Sequence, residues 1–105
     1  MGLSSTRVIA LKHLRDFCLL HPPAAQALKA WAEEARIASW KTPQDIRQRY
    51  ATASFLRGNR VVFSIKGNDY RLVVAVAYRF EAVYIKFVGT HAQYDAIDAA
   101  TVEME

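Results

Sequence analysis

The chain has 105 residues, 52% of them hydrophobic, and a formal net charge of +4 at pH 7. This length predicts a single domain over residues 1–105 with one modest core. No window of about 18 apolar residues occurs, which excludes a membrane-spanning helix, and the single cysteine excludes an intrachain disulfide. The first residues lack a charged stretch followed by an apolar run, so we expect no secretory signal and a cytoplasmic protein.

The positive charge is concentrated in the middle of the chain. Residues 41–91 contain nine lysines and arginines against three acids, whereas the residues after 91 contain four acids and neither lysine nor arginine. A basic stretch of this kind indicates a polyanionic partner such as a nucleic acid. Charge alone fits a solvated face equally well. The choice between these two interpretations depends on where the predicted helices and strands place the cations.

The first part of the chain is predicted to be mainly helical. Residues 7–10 form an apolar run expected to be an edge strand, and residues 11–20 carry apolar side chains at helical spacing. The sequence His21-Pro22-Pro23 ends that helix, and proline is suited to start the next one. Residues 24–38 continue with an apolar stripe, so the two helices are predicted to form a hairpin.

A third, short helix is predicted to follow Trp40, which we interpret as a packing residue. Thr42 is suited to cap this helix, Pro43 fits its first position, and Asp45 favours its first turn. The helix is expected to end near Tyr50, where the apolar spacing changes.

Beyond that point the apolar residues recur with a period of two, which is typical of strands. Three strands are predicted over residues 59–66, 70–78 and 82–88, and the turn at 67–69 contains Gly and Asn, which tolerate positive φ. The result is a small antiparallel sheet with the helical hairpin packed on one face, an α+β class.

Alternation assigns the strand side chains to two faces of this sheet. The face toward the helices is expected to carry Val61, Phe63, Ile65, Leu72, Val74, Val76, Val83, Ile85 and Phe87. The opposite face is expected to gather the cations Arg60, Lys66, Arg71, Arg79 and Lys86, with Ser64 and Tyr84 among them. Like charges crowded on one sheet are unfavourable without an anion. Because cations neutralise phosphates and aromatic rings stack bases, this face predicts an RNA-binding surface.

Candidates for chemistry follow the last strand, where loops often hold active groups. Cleavage of RNA through its 2′-hydroxyl needs a base, a proton for the leaving 5′-oxygen and stabilisation of the phosphorane. His91 or Lys66 is a candidate base, and Arg71 or Lys86 can stabilise the phosphorane. Tyr94 can donate a proton or stack a base. This scheme uses neither a metal nor a cofactor.

Two alternatives remain open for these residues. Thr90 could cap a helix with His91 in its first turn, which is a purely structural role. The basic face could also belong to a non-enzymatic RNA- or ribosome-binding module that stalls translation, which needs the cations but not His91. No metal-ligand spacing and no glycine-rich phosphate loop occur in the sequence, so we expect no metal or cofactor.

Two stretches, residues 59–72 (NRVVFSIKGNDYRL) and 84–95 (YIKFVGTHAQYD), resemble the HigB toxins, a branch of the RelE-like mRNA interferases. Trp40 followed by a short helix is also similar, and the resemblance extends over residues 7–98. It implies a RelE-like fold and cleavage of mRNA in the ribosomal A site of a bacterial cell. It also implies neutralisation by a HigA-like helix-turn-helix antitoxin, with DNA reached only through that antitoxin. A further alternative is an interaction protein that functions only in complex with its antitoxin.

The resemblance also implies which polar residues matter. The family's recurrent polar positions fall on Arg60, Lys66, Asn68, Tyr70, Arg71, Lys86, His91, Tyr94 and Asp95. We assign five residues to the catalytic site, namely Lys66, Arg71, Lys86, His91 and Tyr94. Four are assigned to RNA binding, namely Arg60, Asn68, Arg79 and Tyr84. Three residues depart from the pattern: Ser64 stands where asparagine is expected, and Ala75 and Ala77 stand where larger or polar residues are frequent.

Overall fold

The computed structural model describes residues 6–104. The elements in chain order are β1 Arg7–Ile9, α1 Leu11–Leu20, α2 Pro22–Ile37, α3 Pro43–Arg49, β2 Ser54–Leu56, β3 Arg60–Ile65, β4 Tyr70–Ala77, a 3-10 turn Tyr78–Phe80, β5 Ala82–Thr90 and α4 His91–Asp95. The predicted α+β class is confirmed, with most helices preceding most strands. None of the helices in this part of the chain is both long and apolar enough to cross a membrane.

The predicted helical hairpin is confirmed as α1 and α2. The backbone N–H of His21 ends α1 by donating to the Phe17 carbonyl at 2.8 Å, and Pro22 occupies the start of α2, where its missing N–H leaves no bond unmade. The imidazole of His21 also stacks on the Phe17 ring with centroids 4.3 Å apart. The buried stripe of α2 consists of Ala24, Leu28, Trp31 and Ala35, whose spacing of three or four residues places them on one side of the helix.

The short helix α3 begins with the capping box that its sequence favours. The Thr42 hydroxyl accepts from the Asp45 backbone N–H at 3.3 Å, and the Asp45 carboxylate accepts from the Thr42 N–H at 3.1 Å. Tyr50, just beyond the helix, donates its hydroxyl to Glu34 of α2. Burial, followed by this hydrogen bond, raises the pKa of Tyr50, and the same bond lowers the pKa of Glu34. α3 is thereby fixed against α2.

The sheet has five strands in the order β1-β5-β4-β3-β2. Strands β3, β4 and β5 form the predicted antiparallel meander, and β1 is an edge strand as expected, although it runs parallel to β5. The other edge strand, β2, is absent from the sequence prediction because a Ser-Phe-Leu run of three residues shows no measurable period of two. It pairs with β3 across a turn in which Gly58 and Asn59 adopt positive φ.

One expectation about the faces of the sheet is wrong. Val73 of β4 pairs with Phe87, whereas Val74 pairs with Ile85, so Lys86 is an extra residue in a β-bulge of β5. A bulge interrupts the alternation of side chains. Val88 therefore lies in the core under the helices, together with Ile85, and Phe87 does not.

An aromatic cluster occupies the centre of the core between the helices and the sheet. Trp31 and Trp40 are only 1% and 3% exposed, which confirms their interpretation as packing residues. Phe63 of β3 contacts both, with ring centroids at 5.4 Å and 6.1 Å, and it also meets Tyr50 at 5.0 Å. The helices therefore cover one face of the sheet, and the candidate site lies on the other.

Candidate functional site

We call the sheet surface turned away from α1 and α2 the outer face. Its strand residues are Arg60, Val62, Ser64, Arg71, Val73, Ala75, Tyr84, Phe87 and Gly89, and the bulge residue Lys86 reaches the same surface, where its amine approaches Tyr84. The pairing register places them in rows across the sheet. One row joins Ser64, Arg71 and Gly89 near the start of β4, and another joins Arg60, Ala75 and Tyr84 further along. The predicted charged residues therefore divide into groups rather than forming one patch.

The first group surrounds the guanidinium of Arg71. Its Nη1 donates to the Ser64 hydroxyl and to the Asn68 side-chain carbonyl, both at 3.1 Å. The Arg71 Cζ lies 5.7 Å from the centre of the Tyr94 ring, within the range of a cation–π contact. Two separate sequence motifs, one in the β3–β4 hairpin and one in α4, thus contribute to one group.

The partners of Arg71 are all neutral. Among residues 6–104, no carboxylate oxygen lies within 4.0 Å of its side chain, although six other Lys and Arg side chains of this part have such a partner. A guanidinium that is held in place by neutral acceptors keeps its full charge available to an anion. This group can therefore orient and neutralise a phosphate.

His91 is held close to the same hairpin through the backbone. Its N–H donates to the Asp69 carbonyl at 3.0 Å, which joins the start of α4 to the β3–β4 turn. Thr90 and Gln93 form a capping box at this point, which confirms that Thr90 caps a helix with His91 in its first turn. The His91 imidazole is half exposed, and its Nε2 lies 3.6 Å from an Asp95 oxygen. The capped helix thus leaves the imidazole accessible to a ligand.

The second group surrounds Glu103, a residue that no sequence motif indicated. Arg60 Nη2 donates to Glu103 Oε2 at 2.8 Å, and Lys86 Nζ donates to Glu103 Oε1 at 2.9 Å. The Lys86 Nζ is also 6.0 Å from the centre of the Tyr84 ring. The excess of acidic residues after residue 91 is the sequence feature that could have indicated this contact, because an acidic segment that follows a basic sheet favours contact between the two.

The remaining two predicted cations, Lys66 and Arg79, lie just beyond the ends of β3 and β4 rather than on the strands. Lys66 adopts a positive φ of 53° at the start of the β3–β4 turn, a position expected for Gly or Asn, and its nearest carboxylate is Asp69 at 3.9 Å. Arg79 does not share a strand face with Arg71, because β4 ends at Ala77 and Arg79 lies in the following 3-10 turn. The alternation argument for Arg79 is therefore wrong.

Gly89 offers a test of how tightly this region is packed. A Cβ added there would lie 2.6 Å from Phe87 Cζ and 2.8 Å from the Gln93 side-chain oxygen that caps α4. We expect Gly89→Ala to lower the free energy of unfolding by about 1–3 kcal/mol, measured by urea denaturation. The backbone amide NMR signals of residues 90–95 should shift as well.

Gly58→Ala is the matched control, because a Cβ there meets nothing within 4 Å, although its φ of +74° is unfavourable for alanine. It should lower stability without shifting the signals of residues 90–95. Unchanged stability and unchanged α4 signals in Gly89→Ala would contradict the close packing.

No group of three or more His, Cys, Asp or Glu that could hold a metal ion occurs within residues 6–104. A family model described as HigB toxin, the RelE-like toxic component of a toxin–antitoxin system, matches residues 24–97. No curated protein matches the chain.

Proposed function

Since the chain belongs to the HigB toxin family, the RelE-like toxic components of toxin–antitoxin systems, we propose that it is an endoribonuclease that cleaves mRNA on the ribosome and so inhibits translation. The reaction uses the RNA 2′-hydroxyl and no metal. The natural setting is the bacterial cytoplasm, where ribosomes and mRNA are present.

The observation that carries this proposal is the unpaired charge of Arg71. Its guanidinium is oriented by Ser64 and Asn68 and faces the ring of Tyr94, and among the described residues no carboxylate oxygen lies within 4.0 Å of it. A structural ion pair would need a carboxylate here, whereas a phosphate-binding arginine needs an open, oriented guanidinium. Arg71 then neutralises the charge that develops on the phosphorane.

The other groups complete the reaction scheme. His91 takes the proton from the 2′-hydroxyl, and the 2′-oxygen attacks the adjacent phosphorus. The bond to the 5′-oxygen breaks, that oxygen leaves with a proton donated by Tyr94, and the other fragment ends in a 2′,3′-cyclic phosphate. Lys66 is the second candidate base. Lys86, which contacts Glu103 in the second group, adds positive charge toward the neighbouring part of the RNA backbone.

Contacts outside the reacting group determine where the enzyme acts. We assign Arg60, Asn68, Arg79 and Tyr84 to RNA and rRNA in the ribosomal A site. Because these residues extend over both groups of the outer face and the far end of β4, they suit an extended polyanion better than a small molecule. A toxin of this family has an antitoxin as its partner, and we assign that role to a HigA-like helix-turn-helix protein that also mediates contact with DNA.

The experiment that tests the function is mapping of mRNA 5′ ends after brief induction without antitoxin. Wild type should produce new ends within translated codons, and His91→Ala should lower the cleavage rate by about a hundredfold because the general base is lost. His13→Ala, in α1 and away from the outer face, is the matched control and should behave as wild type. With purified ribosomes, 2′-O-methylation at the cleaved nucleotide should block the reaction.

Three outcomes would contradict parts of this proposal. Intact mRNA and normal growth with folded protein would exclude the endoribonuclease. Ribosome binding that weakens with salt, without cleavage, would instead support the non-catalytic stalling module. Equal cleavage by wild type and His91→Ala would leave the enzyme but remove His91 as its base.

A further inference from the structure

Glu103 bridges two cations of the outer face in a geometry that resembles phosphate binding. Each of its oxygens accepts from a different donor, Oε2 from Arg60 at 2.8 Å and Oε1 from Lys86 at 2.9 Å. The two nonbridging oxygens of a phosphodiester have the same requirement for charged donors. The carboxylate therefore marks a position where a backbone phosphate of RNA would fit.

Arg60 is held in place by the protein backbone and is not a flexible surface arginine. Its side chain is 9% exposed, and its Nη1 donates to the carbonyls of Ala99 at 3.0 Å and Val102 at 2.7 Å. These neutral acceptors fix the guanidinium plane and leave Nη2 for an anion. A guanidinium that is already oriented loses little conformational entropy when it binds.

The Glu103 carboxylate, by contrast, is the part of this group that an external anion can replace. Its side chain is 57% exposed, so it can rotate into solvent while the backbone carbonyls stay bound to Arg60. The hydrogen bond from Lys86, with the nearby charge of Arg60, lowers the pKa of Glu103, so the carboxylate is charged at neutral pH. Ion pairs with an exposed partner are weak, which makes exchange for an external anion feasible.

We propose that Arg60 Nη2 and Lys86 Nζ form a subsite for a phosphate of the RNA backbone, which the Glu103 side chain occupies as an internal competitor until RNA displaces it. This inference rests on the proposed function, which supplies RNA as the ligand. Arg60 and Arg71 lie in different rows of the sheet, so the subsite binds a phosphate other than the one that is cleaved. Tyr84, 39% exposed, is placed to stack the adjoining base.

The test is the affinity of Glu103→Ala for a short 2′-O-methylated single-stranded RNA, measured by fluorescence anisotropy. Affinity should rise by about two- to tenfold, because the internal anion is gone. Inorganic phosphate should also raise the Tm of this variant more than that of wild type, since the nearly buried Arg60 has lost its anion. Adding Lys86→Ala should cancel both gains. Asp16→Ala is the control, because it removes a similarly exposed carboxylate from an ion pair with Lys12 on α1.

The possible results separate this inference from the proposed function. Equal affinity of wild type and Glu103→Ala, or an equal gain in Asp16→Ala, would overturn the subsite while leaving the cleavage of mRNA unaffected. A gain in Glu103→Ala that Lys86→Ala cancels, in a protein that never cleaves mRNA, would uphold the subsite and overturn the endoribonuclease. No RNA binding by any variant would overturn the subsite, and cleavage of ribosome-bound mRNA would still be decided by the mapping of 5′ ends.

Discussion

Replacing Arg71 with alanine is expected to slow mRNA cleavage by about a thousandfold while the protein remains folded. Within residues 6–104 the guanidinium is the cation of the outer face that has only neutral partners, so its charge is available to the phosphorane. Neither Ser64 nor Asn68 can replace that charge. The measurement is the cleavage rate of ribosome-bound mRNA, with ribosome affinity determined in parallel.

Two further variants make this prediction specific. In wild type Nη1 alone donates to both Ser64 and Asn68, which leaves the other guanidinium nitrogens for an anion. Arg71→Lys keeps the charge but has a single nitrogen for all of these contacts, so its rate should be intermediate. Arg36→Ala removes an equal charge from α2, where the arginine pairs with Glu33, and should cleave as wild type does. A rate for Arg71→Ala within threefold of wild type, with normal binding, would remove Arg71 from the reaction.

The largest effect on stability is expected for Phe63→Ala. Phe63 is 1% exposed and contacts Trp31, Trp40 and Tyr50, so its removal leaves a cavity between the helices and the sheet. Such truncations lower the free energy of unfolding by about 3–5 kcal/mol. Because domains of this size have only about 5–15 kcal/mol in total, Tm should fall by at least about 12 °C.

Phe80→Ala is the matched control for this loss. The Phe80 side chain is 68% exposed, so the same truncation should change the free energy of unfolding by less than about 0.5 kcal/mol. Urea denaturation of both variants measures the difference. A loss for Phe63→Ala of less than about 1 kcal/mol would mean that the aromatic cluster does not organise the core.

The elements with strong local signals could be predicted from the sequence. Three predicted features depend on neighbouring residues only and are present in the structure: the Pro22 start of α2, the Thr42 cap of α3 and the alternation in β3. β2 was missed because three residues define no period. Its pairing depends on the turn at Gly58 and Asn59, which brings it against β3.

The candidate site was less predictable because it depends on contacts between distant residues. The register of β3 and β4 brings Arg71 against Ser64, and the bulge that excludes Phe87 from the core arises from pairing rather than from local composition. Arg79 was misplaced because β4 ends one residue earlier than its apolar run suggested. Glu103 lies 43 positions from Arg60, so the ion pair between them has no local signature in the sequence.

Lys86 is an extra residue in β5, and the bulge accommodates it without reversing the side chains that follow. An added residue in a regular strand turns every later side chain to the opposite surface. Here Ile85 and Val88 both face the core with Lys86 and Phe87 between them, so the orientation of everything downstream, including α4, is preserved. Strand length in β5 can therefore vary by one at this position without reversing His91 and Tyr94, whereas an insertion between Val88 and Thr90 would disrupt them. The strand can therefore change its length at the bulge, whereas its length is fixed just beyond it.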